Sequence, residues 1–320
     1  MTDGAVVHEV ADRVFACEQP DGPRIIRQVV IGGEHAALVV DTGLPGSPGD
    51  GILPVLARLG VPPIVLLTHP DGDHVAGTAE VLAAYPGSRV VAGDGDIPLM
   101  GDPERAIRER YARFAAFDDV PFTAEMHTRA VARFGGPFDP PEPIADGTTL
   151  DLGGRYVTLL ATPGHSPGHT AAWVAADGVL AAADAAMGRA ITDREGKGYI
   201  PAMYAPPATY RATIARMEAL PVAVLLTGHE PVMDGAATST FLEESAALCD
   251  RLEALTAEAL SEGPGTLMEL CGRVHAAYGG LPPDRVRDLA MTVDGHLADL
   301  VAARRATISP GPPRVFTGVG

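Results

Sequence analysis

Basic residues are scarce in this 320-residue chain: 24 Lys and Arg stand against 41 Asp and Glu, a formal net charge of −17. A non-specific grip on DNA, RNA or an anionic bilayer relies on a basic face, so the excess of acid argues against all three as partners. Cysteine is rarer still. Cys17, Cys249 and Cys271 are far apart, odd in number and never in a C-x-x-C spacing, which argues against a disulfide framework and against a thiolate zinc site. Aromatic residues are few (eight Phe, seven Tyr, one Trp), and nowhere does a run of about 18 apolar residues occur, the length a membrane-spanning helix needs. The first four residues carry neither a basic n-region nor an apolar h-region, and the expectation is a cytoplasmic protein.

Glycine and proline are abundant, 37 and 29, within a chain that is 46% hydrophobic. That mixture suits many short elements joined by tight turns, in one large domain or one domain with an appendage. Two β-branched apolar runs, 25–31 and 36–40, flank Gly32-Gly33-Glu34-His35 and predict a β-hairpin that ends at Asp41-Thr42-Gly43. A short helix through Leu53, Leu56 and Leu59, a buried strand at 64–68, a helix near 75–84 and a strand at 89–92 follow, an alternation that implies α/β layering. Residues 94–143 interrupt it with helix-prone stretches at 103–117 and 123–134. Strands resume at 148–152, 155–161, 170–175 and 179–182, then a helix at 208–220 and a strand at 222–227. From about Thr240 the chain reads as wholly helical, with a T-x-x-E capping box at Thr266 and Glu269 and a last helix from near Pro283. The division expected is a catalytic unit over 1–239, with the insertion at about 94–143, and a helical extension over 240–320.

Five of the ten histidines fall in three short segments after or between expected strands, where loops carry chemistry. In Thr68-His69-Pro70-Asp71-Gly72-Asp73-His74, positions 69, 71 and 73 are spaced so that an extended loop points all three side chains one way. Carboxylates and an imidazole facing one way, without a Lys or Arg between them, call for a cation, and a metal is the natural one; the alternative is a plain polar surface loop. The second segment, 162–170, carries His165 and His169, and the third is Thr227-Gly228-His229-Glu230-Pro231. Between them a small-residue run delivers Asp184 at a strand end. Each segment alone is a weak signal; in this order, each ending a strand, they are specific.

With these residues the chain resembles the metallo-β-lactamase superfamily, whose signature is a strand-ending Asp, an H-x-H-x-D-H loop, a later His, an Asp and a last His. The resemblance runs over about residues 10–231, with Asp41 as the first element. It implies an αββα sandwich with a centre of two divalent metal ions at one edge of two packed sheets. Carried over position by position, His69, Asp71 and His165 would hold one ion, Asp73, His74 and His229 the other, and Asp184 would bridge; His169 matches a position that is usually structural. The departure is Asp71, which stands where the family usually has its second histidine. Three carboxylates and a bridging hydroxide cancel the charge of two divalent ions, so the centre should acidify its water less and attract anions less than the usual two-aspartate set. The extra oxygen ligand also tilts selectivity from zinc, the first expectation, toward manganese or iron.

The activity implied is metal-assisted hydrolysis, with a bridging hydroxide as nucleophile and Asp73 orienting the water and relaying its proton. Enzymes that open β-lactams would have Cys or Ser at the position of Asp184, which disfavours that substrate. A small carboxylic ester, thioester or lactone is expected, with a phosphodiesterase or nuclease and an iron-dependent oxidoreductase as alternatives. Six aromatics (Tyr111, Phe114, Phe117, Phe122, Phe134, Phe138) crowd the insertion, either packing its own helices or forming a lid whose Phe114 and Phe117 would touch substrate. Arg105, Arg108, Arg110 and Arg113 beside them read as a solvated face or as an anchor for a carboxylate or phosphate. Tyr199 and Tyr204 lie in a Gly- and Pro-rich loop, as core packing or as oxyanion donors near the metals. The tail is similar to a small winged-helix-like extension of some superfamily hydrolases, or serves as a homodimer contact or a pocket-closing element.

Overall fold

Strand side chains that are apolar on both faces need cover on both faces, and the fold supplies it with two stacked sheets between outer helices. The computed structural model describes residues 4–319. The first sheet runs β1 (Val6–Ala11), β2 (Val14–Asp21), β3 (Arg24–Gly32), β4 (Ala37–Val40), β5 (Pro63–Leu67), β6 (Arg89–Gly93) and β7 (Glu142–Ile144) in that spatial order, antiparallel through β4 and parallel from β4 to β7. Parallel neighbours need a crossover. Helices α1 (Ser47–Asp50) and α2 (Ile52–Leu59) supply it after β4, and α3 (Gly72–Val75) and α4 (Thr78–Ala84) after β5. The insertion follows β6 with α5 (Pro103–Ala106) and α6 (Ala124–Ala132).

The second sheet contains β8 (Thr148–Asp151), β9 (Tyr156–Ala161), β10 (Thr170–Val174) and β11 (Val179–Ala183). A small hairpin of β12 (Ile191–Thr192) and β13 (Gly198–Ile200) and helix α7 (Pro207–Glu218) then lead to β14 (Val224–Thr227), parallel to β11, and β15 (Met233–Asp234). Alternation along each strand sorts the core. Val14 and Ala16 of β2 meet Ala172 and Val174 of β10 between the sheets, while Phe15 and Cys17 face the outer layer that includes Val55 and Leu56 of α2. Trp173 and Ala171 face the other outer layer, with Ile214 of α7.

The stretch 103–117 is not one helix: after α5 the backbone widens into a π-helical turn over Ile107–Tyr111, with the Ala112 N–H donating to the Ile107 carbonyl, and then breaks into turns. Such turns recur at functional sites. Here the widened turn lets Arg110 and Tyr111 both meet the loop after β5.

The tail is not wholly helical either. Its helices α8 (Gly235–Ser261), α9 (Leu267–Tyr278) and α10 (Ala290–Ala302) are joined by the strands β16 (Gly265–Thr266), β17 (Ala306–Ser309) and β18 (Val315–Gly318), paired in the order β16-β18-β17. Helix, strand, helix, helix, strand, strand is the order of a winged-helix unit. The strands are short and each buries a single residue, so no apolar period marks them in the sequence. The capping box at Thr266 and Glu269 forms as expected, and the stretch from Pro283 enters α10 through a 3₁₀ turn, Pro283–Leu289. Helix α8 starts at Gly235, ahead of the boundary expected near residue 240. Leu252, Leu270 and Val293 of the tail join Trp173 and Leu180 in one core, so the extension packs on the second sheet. Among the described residues no helix is long and apolar enough to cross a membrane.

Candidate metal centre

The site forms where strands of both sheets end on the same side. Asp41 follows β4, His69 follows β5, Asp73 and His74 open α3, His165 lies between β9 and β10, Asp184 follows β11 and His229 follows β14. All of these side chains are buried. Potential ligand atoms of His69, Asp71 and His165 lie within 4.8 Å of one another, as do those of Asp73, His74 and His229. Asp184 stands between the two groups. Its Oδ2 is 3.4 Å from His229 Nε2 and 4.0 Å from His69 Nε2, and its Oδ1 is 3.8 Å from His74 Nε2.

Four of the rings are fixed through Nδ1. It meets Thr68 Oγ1 at 2.9 Å in His69 and Asp41 Oδ2 at 2.7 Å in His74, and donates to the carbonyls of Met203 at 2.8 Å in His165 and of Ile25 at 2.9 Å in His229. Holding Nδ1 this way turns Nε2 inward as a lone-pair donor, the usual arrangement around a metal. His69 Nε2 and His74 Nε2 have no hydrogen-bond partner although both are buried. A buried polar atom left unpaired costs about 1–3 kcal/mol, which a cation between the groups would relieve. The donor set therefore fits divalent ions. Asp41 also lies within reach of His69 and His74, but its oxygens are taken up by the Thr68 N–H, Thr68 Oγ1 and His74 Nδ1, which makes it an orienting group.

Electrostatics point the same way. Burial, and after it His74, hold His69 down to about 4. Burial disfavours charge on His74 too, but Asp41 and Asp184 outweigh it and push His74 up to about 10, a sign of how strongly this carboxylate cluster calls for positive charge.

Three cations that sequence reading did not place at the centre lie against it, the outermost being Arg133, whose Nη2 is 3.7 Å from Asp73 Oδ2. Against the cost of burial, Arg110 holds Asp71 well below the usual carboxylate range. Arg110 Nε donates to Asp71 Oδ1, Nη2 to Asp71 Oδ2 at 2.8 Å, and Nη1 to the His165 carbonyl at 3.2 Å. Arg24 Nη2 donates to Asp73 Oδ2 at 2.5 Å, its Nη1 is 3.2 Å from His229 Nε2, and it lowers Asp73 likewise. The first motif indeed holds no cation of its own. All three arginines come from distant segments, so local spacing carries no signal for Arg24 or Arg133 and only the clustered arginines of the insertion hinted at Arg110. The centre expected to be neutral thus sits among three guanidinium groups.

A cavity of about 450 Å³ opens over the cluster. Asp71, Asp73, Asp184 and His229 line its floor, and Phe114 and Tyr199 its wall. Tyr204 and Phe117 are corrected. Tyr204 is fully buried, stacked on Tyr210 at 4.2 Å with its hydroxyl 3.0 Å from His296 Nε2, because its loop folds beneath α10. Phe117 is 65% exposed and lines a separate cleft with Arg314. The tail closes the cavity with Arg285 and Arg287. Arg285 stacks over Tyr199 at 4.1 Å, and both arginines share one carboxylate, Asp288, at 3.4 and 3.7 Å. Arg105 and Arg108 instead pair with Glu109 on the surface.

Two packed sheets between helices, with imidazoles and carboxylates gathered at their strand ends, define the αββα class of metal-dependent hydrolases. The chain belongs to the metallo-β-lactamase superfamily, whose family model matches residues 21–229. It is 27% identical over 237 residues to a hydroxyacylglutathione hydrolase of Acidiphilium cryptum, covering 72% of this chain and 78% of the relative. A protein of the same name from Edwardsiella ictaluri is 28% identical over 147 residues, and there the match spans 45% of this chain and 40% of the relative's length. Among solved structures, a metallo-β-lactamase family protein from Thermus thermophilus superposes with a TM-score of 0.74 at 22% identity, over 97% of this chain and 100% of its own. A β-lactamase domain protein from Burkholderia ambifaria gives 0.73 at 18% identity, over 98% and 94%. Those two likenesses extend over the tail as well as the sandwich.

Proposed function

We propose that this chain is a dinuclear metal-dependent hydrolase of small thioesters that carry an anionic group. The observation that carries the reading is the pair of donor triads on either side of Asp184, with the Nε2 atoms of His69 and His74 buried and unpaired between them. His69, Asp71 and His165 would hold one ion, Asp73, His74 and His229 the other, and Asp184 would bridge them. Zinc is the first candidate, and the third carboxylate also suits manganese or iron. Such ions, when bound, supply a hydroxide nucleophile near neutral pH and polarise the carbonyl under attack.

The chain's own residues do the rest. Asp73 orients the attacking water and accepts its proton. A thiol, with a pKa near 8.5, leaves readily as the anion, so little protonation of the leaving group is required. Phe114 and Tyr199 offer an apolar wall for the acyl portion, while Arg285 and Arg287, two cations on one carboxylate, favour an anionic substituent. The name carried by the relatives, hydroxyacylglutathione hydrolase, supports a thioester over a lactone.

The test is a substrate panel run on protein loaded in turn with zinc, manganese and iron. Anionic acyl thioesters should be cleaved fastest, ahead of neutral thioesters and lactones. Cleavage of bis-nitrophenyl phosphate alone would overturn the reading.

A further inference from the structure

We propose that Asp71 and Arg110 act as one unit in place of the neutral histidine of the family signature, the guanidinium cancelling the extra carboxylate charge so that an aspartate serves in the first triad. The inference rests on the reading that the triad of His69, Asp71 and His165 binds a divalent ion. Its observations are geometric. Asp71 Oδ2 faces inward, 3.0 Å from His165 Nε2 and 3.5 Å from His69 Nε2, and accepts Arg110 Nη2 at 2.8 Å, while Oδ1 is taken by Arg110 Nε. An ion that engaged Oδ2 and the two imidazoles would leave the Nε to Oδ1 contact and the Nη1 contact with the His165 carbonyl in place. Only Arg110 Nη2, which bonds Asp71 Oδ2 and lies 2.7 Å from His165 Nε2, would have to give way.

Arg110 is also committed to this one carboxylate. Among the described residues Asp71 is its only ion-pair partner, whereas Arg24 divides itself between Asp21 and Asp73. The backbone is shaped to deliver it. The next residue of the same π-helical turn, Tyr111, accepts the Gly72 N–H at 3.2 Å, so two consecutive residues of the insertion grip the loop at Asp71 and Gly72. In a protein of net charge −17, this guanidinium is thus placed where one surplus negative charge enters the centre.

The role makes signed predictions for metal binding, read without any substrate. Chelator-stripped protein is titrated with Co²⁺ in competition with a chromophoric chelator, and metal stoichiometry is measured by elemental analysis. Arg110→Met leaves the carboxylate uncancelled and should tighten the affected site at least about tenfold, while Arg110→Lys, which keeps the charge, should stay within about threefold of wild type. Asp71→His with Arg110 retained sets an uncompensated guanidinium beside the ion and should weaken binding about tenfold or more; Asp71→His/Arg110→Met should recover wild-type affinity within about threefold. That double variant, which removes both charges, keeps the test decisive if Arg110→Met alone unfolds. Equal weakening by Arg110→Met and Arg110→Lys, or an Asp71→His effect that is the same with and without Arg110, would show that Arg110 merely holds the side chain in place and would overturn the inference. Wild-type protein that takes up no divalent ion would overturn the functional reading itself.

Discussion

Replacing Asp41 by asparagine should weaken the second metal triad without touching any of its ligands. Asp41 follows β4 with φ of 61°. Asparagine adopts that left-handed state as readily as aspartate, so the change alters charge and donor pattern and leaves the chain path alone. Oδ1 accepts the Thr68 N–H at 2.8 Å; Oδ2 accepts Thr68 Oγ1 at 2.8 Å and pairs with His74 Nδ1 at 2.7 Å. In the variant the amide oxygen must stay on the Thr68 N–H, since the flipped amide would set N–H against N–H. The amide nitrogen then faces His74 Nδ1 and drives the imidazole to the tautomer that carries its proton on Nε2, the atom turned toward Asp184. Losing one charge-assisted hydrogen bond costs about 1.5–3 kcal/mol, which corresponds to a roughly 10- to 100-fold weaker site, the range typical of groups that orient a metal's histidine. Competition titration of stripped protein with Zn²⁺ reads the change, and a thermal melt followed by circular dichroism checks the fold. A variant that binds both equivalents with wild-type affinity and melts normally would refute the assignment of Asp41 as the group that sets His74.

Gly228 has little room for a side chain: a Cβ there would stand 2.4 Å from Asp184 Oδ1 and 2.9 Å from His74 Cε1. Gly228→Ala should therefore lower metal content in elemental analysis while far-UV dichroism stays native, and full occupancy would count against Asp184 and His74 as ligands. Arg287→Ala should raise KM about tenfold, or about 1.4 kcal/mol, for an anionic thioester and leave KM for a neutral analogue unchanged, with Phe117→Ala altering neither; equal effects on both substrates would remove the anion-binding role. His296 is held down to about 4 by burial and, next, by Arg211, so its native-state pKa lies below the unfolded value of 6.5. The stability it contributes is present above pH 6.5 and is lost as pH falls toward 4, which amounts to about 2 kcal/mol between about pH 7 and pH 5. Urea unfolding at the two pH values should show that loss in wild type and a correspondingly smaller one in His296→Gln; identical pH slopes would rule His296 out.

Much of the fold was legible because burial writes itself into the strands. The apolar runs at 25–31, 36–40, 64–68 and 179–182 are covered on both faces, so hydrophobicity alone located β3, β4, β5 and β11. The paired strands of the tail escaped notice because few side chains of each are buried, too few to set a period. The insertion misled in another way. Helix propensity extends through residue 117, but the chain widens into the π-helical turn over Ile107–Tyr111, where Arg110 and Tyr111 meet the loop after β5, and then breaks into turns. Composition marked both Phe114 and Phe117 for the lid, and three residues of separation on a broken helix sent one into the cavity and the other to solvent.

The sequence by itself determined which chemistry the chain carries: histidines and aspartates in a fixed order, each at the end of a strand whose length and register the apolar pattern sets. Period-two alternation and short strand-ending loops are local properties, so they survive translation from sequence to structure. The tertiary structure alone decided the charge around that chemistry. Arg24 and Arg110 reach the carboxylates from 49 and 39 residues away, and Arg285 and Arg287 close the cavity from the tail. Separations of that size leave no spacing to read, because only packing of the insertion and the tail onto the sandwich brings the groups within Coulomb range of one another.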